Sequence, residues 1–519
     1  MKIAVNLFPL RPQIAGGHEF YVRNLLDALL RLDAGHFYYI LTAPWNHGEL
    51  DFGNGSYRKI CIEGQPSKSG VIRHLRAKLK QRHWDLYRCA VELNPDVLFC
   101  PMMDLQPRNT DIPSIVTIAD LQHEFYPQFF SEEELRHRAL TMKPSCQLAT
   151  MVIAVSEHCR NTILERYQLQ GEKVRRIYEA AGPAYTRESA AEAWPLVEKQ
   201  YGLEKGYLFY PANTWPHKNH EMLLLAMNRL RKRGLSPQLV LTGAHIGDFD
   251  RYGDLVRQLG LENQVRHLGF MDAALFPGLY YGAACLVFPS LYEGFGIPLV
   301  EAMSCGCAVA GSNVCSIPEV AGRGALLFDP RNPDSIADAL EQVLCSESVR
   351  LQLVEEGRTQ AARFSWETAA RETLALFETV KTGRAPRMPF GPPQDVVEGF
   401  HADGWAGPEI LLRNVELSRW RTLLVEGAVS VHCCPLNIQF TVDRQVIREL
   451  KIKNPGVLSH RFDIPKAETN SLADIRLVAD RHFVPRRTGI SRDTRRLSFQ
   501  IHKLALIDSE GTAMVLRGR

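Results

Sequence analysis

Residues 287–312, VFPSLYEGFGIPLVEAMSCGCAVAGS, carry three signals in succession. A β-rich apolar run stops near Pro289, the chain turns through Gly294 and Gly296, and Pro298 stands where a first helical position favours proline. A second short apolar run, CAVAGS, follows. Strand, turn, helix, strand is one βαβ unit and implies a parallel sheet. The glycines leave the backbone N–H groups of residues 294–297 unshielded at a helix N-terminus, where a phosphate can approach. Glu293 falls before the helix and Glu301 inside it, so the two carboxylates need not share a face. They are placed to grip different parts of one ligand. A carboxylate accepts hydrogen bonds from neighbouring hydroxyls, as on a sugar or ribose, and repels phosphate unless a positive group lies between.

Working outward, the same alternation of apolar run and helical pattern extends from residue 1 to about 380. Six strands are predicted before residue 180 (KIAVN, FYYIL, KICI, PDVLF, SIVTI, MVIAV) and six after 205 (YLFYP, QLVLTG, VRHLG, CLVFPS, CAVAGS, ALLFDP). Between them AAGPAYTRESAAEAWP, 180–195, reads as an interdomain hinge. The expected fold is α/β: two Rossmann-like domains, 1–185 and 186–380, facing across a cleft whose ligand lies at the carboxyl ends of the strands. A proline-rich linker, 381–395, then leads into 396–519, where short strands without helical periodicity suggest an accessory β-sandwich.

Composition narrows the function. A chain of 519 residues, 45% hydrophobic and 23% charged, suits about three globular domains. No apolar run approaches the roughly 18 residues of a membrane span. MKIAVNLFPLRP reads as a buried first strand rather than a signal peptide, since no small-residue cleavage site follows, and a cytoplasmic place is expected. The twelve cysteines, Cys305/Cys307 and Cys433/Cys434 being the tightest groups, lack four-ligand zinc spacing, so neither a metal nor a disulfide framework is expected. A net charge of +3 does not point to nucleic acid.

A second loop supplies the missing cation. In YLFYPANTWPHKNHEMLLLA, 207–226, the strand ends and Lys218 opens the next helix, with Asn213, His217 and Asn219 in the same loop. Lys218 is expected to clamp a diphosphate from the side opposite the glycine turn. The plainer reading is a solvated lysine at a loop tip.

Together PSLYEGFGIPLVEAM, SIPEVAG, AGGHEFYVRNLLDAL, IADLQHEFYPQFF, AVSEHCRNTI and WPHKN resemble the retaining GT-B glycosyltransferases of family 4 (glycosyltransferase group 1) over about residues 1–380. Their signature is two glutamates with seven residues between, as at Glu293 and Glu301. The resemblance implies a nucleoside-diphosphate sugar donor, no cofactor and no metal. It implies Glu293 on the donor sugar's hydroxyls, Glu301 on the ribose, Lys218 on the diphosphate, and Asn213 and His217 beside it. Backbone groups of Gly294, Phe295, Gly296 and Ile297 would contact sugar and phosphate. Gly16 and Gly17 would let the first domain approach the diphosphate. His123 would reach the sugar near the anomeric carbon, with Asp120 on the acceptor side. The chain departs from the family pattern at His217, where an arginine is usual, and at Ala119, where a histidine is.

Such a site stabilises a departing diphosphate and an oxocarbenium-like sugar. A glycoside hydrolase using Glu293 and Glu301 as its carboxylate pair leaves the glycine turn and Lys218 without a task. A non-catalytic carbohydrate-binding protein is the other alternative. Asp248 and Asp250 have Asp-x-Asp spacing in what reads as a solvated loop. Arg266 and His267 either approach the nucleotide base or close a strand, and His18 and Glu19 either meet acceptor or begin a helix.

The segment 67–84, SKSGVIRHLRAKLKQRHW, holds six Lys and Arg residues and no acid. It is either a basic amphipathic helix meeting the inner membrane face or a helix packed on its sheet. Sequences around Trp405 and Asp493 resemble accessory domains of bacterial polysaccharide glycosyltransferases, which suggests either glycan binding, with Trp405 on a sugar face, or assembly with partner proteins. The WPHKN loop is similar to that of mannosyltransferases of surface polysaccharide assembly, which implies GDP-mannose as the first donor and a UDP-hexose as the second. The acceptor is a glycan or lipid-linked glycan.

Overall fold

The structure is a computed structural model that describes residues 1–519 apart from 13–15, 33–34, 54, 63–85, 109, 245–248, 383–396, 401–404, 417–419, 430–434, 443–444, 466–471, 481–498, 510–512 and 518–519. The basic segment 67–84, the prolines of 384–394, Asp248, Cys433, Cys434 and Asp493 lie outside the described residues. The chain divides into two compact units, Met1–Met388 and Pro389–Arg519.

The first unit holds two parallel sheets. The first contains β1 (Lys2–Asn6), β2 (Phe37–Thr42), β3 (Tyr57–Cys61), β4 (Val97–Cys100), β5 (Ser114–Ile118), β6 (Met151–Ala154) and β7 (Val174–Arg176), in the order β3-β2-β1-β4-β5-β6-β7. Six of these are the strands expected. The seventh, β7, has only three residues, two of them arginine, so no apolar run marks it. The second sheet contains β8 (Tyr207–Pro211), β9 (Leu239–Thr242), β10 (Val265–His267), β11 (Ala283–Phe288), β12 (Val309–Ser312) and β13 (Ala325–Phe328), in the order β10-β9-β8-β11-β12-β13. Each sheet is wound outward from a central pair, β1/β4 and β8/β11. Loops leaving the carboxyl ends of such a pair diverge and open a crevice. In the second sheet those two loops are the Lys218 loop and the EGFG turn.

The stretch expected to be a hinge is largely helical. Thr186 caps a helix, Arg187–Tyr201, by accepting from the Ser189 N–H at 3.1 Å. Trp194 and Val197 of this helix pack where added Cβ atoms on Gly282 and Gly278 would sit. The last helix of the unit, Trp366–Lys381, lies on the first sheet: Phe377 meets Phe99 with ring centroids 5.4 Å apart, Trp366 meets Phe20 and Tyr21, and Lys381 pairs with Asp96.

The second unit is antiparallel. One layer runs β18 (Gln445–Ile452), β17 (Leu436–Val442), β20 (Leu472–Ala479), β15 (Trp405–Glu416) and β14 (Val397–Phe400); the other runs β19 (Gly456–Asp463), β16 (Trp420–Val429), β21 (Phe499–Asp508) and β22 (Ala513–Arg517). Phe440 of the first layer stacks on Phe462 of the second at 4.9 Å, and both rings are buried. The layers therefore face each other as a sandwich. They also join at one corner, where Trp405 and Ala406 of β15 pair with Gln500 and Phe499 of β21.

Candidate functional site

The turn after β11 is held by two serines. The Ser316 hydroxyl lies 3.0 Å from the carbonyl oxygens of both Glu293 and Phe295. Ser156 donates to the Gly294 carbonyl at 2.6 Å. In a trans peptide the C=O and the following N–H point in opposite directions. The N–H groups of Gly294 and Gly296 therefore point away from Ser316, and that of Phe295 away from Ser156. Helix Ile297–Ser304 begins immediately after, with Gly296 at its N-cap and no side chain capping it. The turn also touches the first sheet's loops. A Cβ on Gly294 would lie 1.7 Å from the Ala119 oxygen and 3.3 Å from the Asp120 Cβ, so only glycine permits this approach of two backbones.

The loop after β8 is stapled to this turn. The Leu291 N–H donates to the His217 carbonyl at 2.8 Å, and the Asn219 carboxamide donates to Pro289 and Pro330 carbonyls at 2.9 and 2.8 Å. Lys218 sits in a short 3₁₀ turn, Pro216–Lys218, ahead of the helix that starts at His220. Its Nζ lies 2.6 Å from the Glu293 Oε1, with both side chains mostly buried. The two residues given separate tasks by the sequence are thus partners of each other. Burial, with the Lys218 charge adding to it, pushes His217 down to about 3, so it is a neutral imidazole at physiological pH. Asn213 accepts from the Ala244 N–H at 2.7 Å and so braces the loop after β9.

Glu301 is buried in helix Ile297–Ser304 and accepts from the Tyr280 hydroxyl at 2.8 Å, with Tyr185 as a second donor. Burial lifts its carboxyl to about 7 against the pull of both tyrosines. Across from the turn, His123 is buried in the short helix Gln122–Phe125, and its ring nitrogens have no hydrogen-bond partner among the described residues. Burial, and then the Arg138 charge, hold it below the ordinary histidine range. Asp120 accepts from the Gln122 N–H at 2.9 Å. Gly16 takes φ +53° at the N-cap of helix Gly17–Arg31, a positive-φ backbone that disfavours any other residue, and among the described residues no atom comes within 4 Å of where a Cβ on Gly16 or Gly17 would sit.

Other candidates have local tasks. Arg266 donates to the Tyr201 and Gly202 carbonyls and closes its strand. His18 meets the Met103 sulfur, and Glu19 pairs with Arg23 one helical turn on. Asp250 lies in helix Phe249–Gln258. Cys305 and Cys307 are buried free thiols packed in the second sheet's core. Among the described residues no group of three or more His, Cys, Asp or Glu side chains is arranged to hold a metal, and no helix is long and apolar enough to cross a membrane.

Sequence reasoning missed Glu179. It stands just past β7, at the carboxyl edge of the first sheet, and is buried. Burial, with the Glu293 charge second, lifts its carboxyl to about 8. It is a third acid at the cleft, and the unmarked strand before it hid its place.

Two parallel-sheet domains whose facing loops converge on one cleft are the GT-B architecture. A profile of the Glycosyl transferases group 1 matches residues 197–360, and one of Glycosyltransferase Family 4 matches 15–181. The O-antigen chain mannosyltransferase B of Escherichia coli is 31% identical over 266 residues, covering 51% of this chain and 70% of that protein. The serotype-specific mannosyltransferase WbdA of Escherichia coli is 28% identical over 324 residues, covering 59% of this chain but only 39% of its own length. The sucrose-phosphate synthase structure from Thermosynechococcus elongatus superposes with a TM-score of 0.61 at 22% identity, covering 74% of this chain and all of that one. Anabaena HepE, solved with UDP and glucose, gives 0.54 at 18% identity, covering 73% of this chain and all of that one. The chain belongs to the family 4 (group 1) glycosyltransferases and is a hexosyltransferase.

Proposed function

We propose that the chain moves a mannosyl unit from GDP-mannose to a glycan or lipid-linked glycan acceptor in polysaccharide biosynthesis, with retention at the anomeric carbon. The observation that carries this reading is the 2.6 Å Lys218–Glu293 pair beneath the glycine turn. An arriving diphosphate competes for Lys218, and Glu293, released from its counter-ion, is left to accept from the sugar's hydroxyls. The same step couples recognition of the two halves of the donor. As the glycosidic bond breaks, charge develops on the diphosphate beside the Lys218 ammonium and the N–H groups of residues 294–297, donors already oriented before reaction. His123, held below the ordinary histidine range by burial and with ring nitrogens that make no hydrogen bond among the described residues, Nε2 lying 3.6 Å from the Glu124 carboxylate, is suited to hydrogen-bond a sugar hydroxyl. Attack by the acceptor oxygen from the face the diphosphate leaves retains configuration and passes the acceptor proton to a phosphate oxygen.

Lys218 gives the site a cation of its own, which supports catalysis without a divalent metal. The mannosyl assignment is supported by the mannosyltransferases among the relatives. A UDP-hexose is the second donor, favoured by the HepE complex. Work at the cytoplasmic side of a membrane belongs to the same proposal.

A panel of nucleotide sugars tests it. GDP-mannose is expected to raise the melting temperature and give turnover that EDTA leaves intact, with an α-linked product by NMR. Equal rates for wild type and Glu293→Ala would refute the catalytic assignment.

A further inference from the structure

We propose that Glu319 is a positioning residue for glycosyl transfer, holding the catalytic turn of the second sheet in register with the first-domain loops that carry Asp120 and His123. Glu319 lies in the short helix Ile317–Ala321, which follows β12 of the second sheet. Its carboxylate does not serve that domain. Oε1 accepts from the Glu157 N–H at 2.7 Å and Oε2 from the His158 N–H at 3.0 Å. Those are the first two residues of helix Glu157–Tyr167, which follows β6 of the first sheet. The first N–H groups of a helix have no partner within it, and the helix dipole adds positive potential there. A two-point, charge-assisted contact therefore links the two domains.

The same helix end reaches the catalytic turn directly. Its cap, Ser156, accepts from the Cys159 N–H at 3.0 Å while donating to the Gly294 carbonyl at 2.6 Å. Tyr178, hydrogen-bonded to Glu319, sets its ring 6.0 Å from Phe295 in the middle of the turn and 5.2 Å from Phe364. One helix terminus thus holds Glu319 by its N–H groups and Gly294 by its cap, so the two contacts form and break together. Opening the domains costs both, and with them the Ala119–Gly294 approach. Most of the donor's proposed contacts, those of Lys218, Glu293, Glu301 and the turn 294–297, lie on the second domain, so its binding depends less on the link than the reaction does. The first domain's His123 and Asp120 meet the reacting centre only when the link is made.

The test uses the full chain, with Glu319→Gln, Glu319→Ala and Ser156→Ala as independent variants. Glutamine keeps the shape but offers one acceptor oxygen and an NH2 that faces a helix N–H. Hydrogen exchange without donor reads the link itself, so it stands even if GDP-mannose proves the wrong sugar nucleotide. Faster exchange at residues 157–158 and at 293–297 together is expected in all three variants. With GDP-mannose, or whichever donor turns over in wild type, kcat is expected to fall about 10- to 100-fold from misplacement of the two domains. Donor KM is expected to change much less than kcat, within about threefold, since the second-domain contacts that make up most of its binding remain. Acetate or formate can refill the vacated N–H pair but carries no tether to the second domain, so neither is expected to restore the kcat of Glu319→Ala; full rescue would show local capping of the helix and overturn the proposal. A wild-type kcat in Glu319→Gln overturns the proposal. So does exchange confined to residues 157–158, or a loss of rate that tracks only the folded fraction.

Discussion

Replacing Glu179 with glutamine should make the protein more resistant to alkaline conditions. The native carboxyl is lifted from 4.5 to about 8, first by burial and then by the neighbouring Glu293 charge. Below 4.5 the folded and unfolded chains both carry the proton, and the group contributes nothing to pH dependence. Between these values the unfolded chain has released it while the native chain keeps it, so the native state binds more protons and stability falls as pH rises. Above about 8 both states are ionised and the loss is complete. Over roughly 3.5 pH units at ~1.4 kcal/mol each, the loss reaches about 5 kcal/mol as an upper limit. Glu301, lifted to about 7, adds a similar but shorter slope that has ended by neutrality. Between pH 7 and 8 Glu179 still contributes, while Lys173, lowered by burial to about 8, begins to add a slope of opposite sign. Glutamine cannot ionise, so the difference between wild-type and Glu179→Gln guanidinium midpoints, in which the Lys173 slope cancels, should grow across that window as wild type loses stability relative to the variant. Parallel wild-type and variant curves from pH 7 to 9 would refute a buried, protonated Glu179.

Lys218→Ala removes the counter-ion of Glu293 and leaves that carboxylate beside Glu179; kcat should fall about 100- to 1,000-fold, as when an oriented charge stabiliser is lost. Steady-state kinetics with Lys218→Arg, expected to recover part of the rate, checks that charge rather than bulk is at issue. Gly294→Ala places a Cβ 1.7 Å from the Ala119 oxygen, so the two domains must separate, and scattering should report a larger radius of gyration with activity abolished. Tyr280→Phe removes a donor that holds the Glu301 carboxyl down, so nucleotide binding that requires ionised Glu301 should shift to higher pH, visible in titrations from pH 6 to 9.

Much of the first unit was legible because each buried strand is an apolar run closed by Gly, Pro or a charged turn. β7 was not, since three residues with two arginines carry no such run. Helix Arg187–Tyr201 was read as hinge because Gly182, Pro183 and Pro195 mask its period; Pro195 nonetheless lies within the helix. In the site, Glu293, Glu301 and Lys218 were legible from turn chemistry and spacing. Glu179, Ser156 and Glu319 were not, because each acts on a partner more than a hundred residues away; AVSEHCRNTI and SIPEVAG stand out as stretches, but nothing in them says that Ser156 meets Gly294 or that Glu319 meets Glu157 and His158.

The amino-acid sequence alone determined the βαβ alternation, the glycine turn ahead of a helix and the presence of an acid and a lysine at strand ends. These follow from local preferences of backbone and burial. Only the tertiary structure decided that Lys218 neutralises Glu293, that two tyrosines enclose Glu301, and that a carboxylate from one domain seats on a helix terminus of the other. Each of those depends on the order in which strands pair and on how closely two backbones approach, and neither quantity is set by any short stretch of chain.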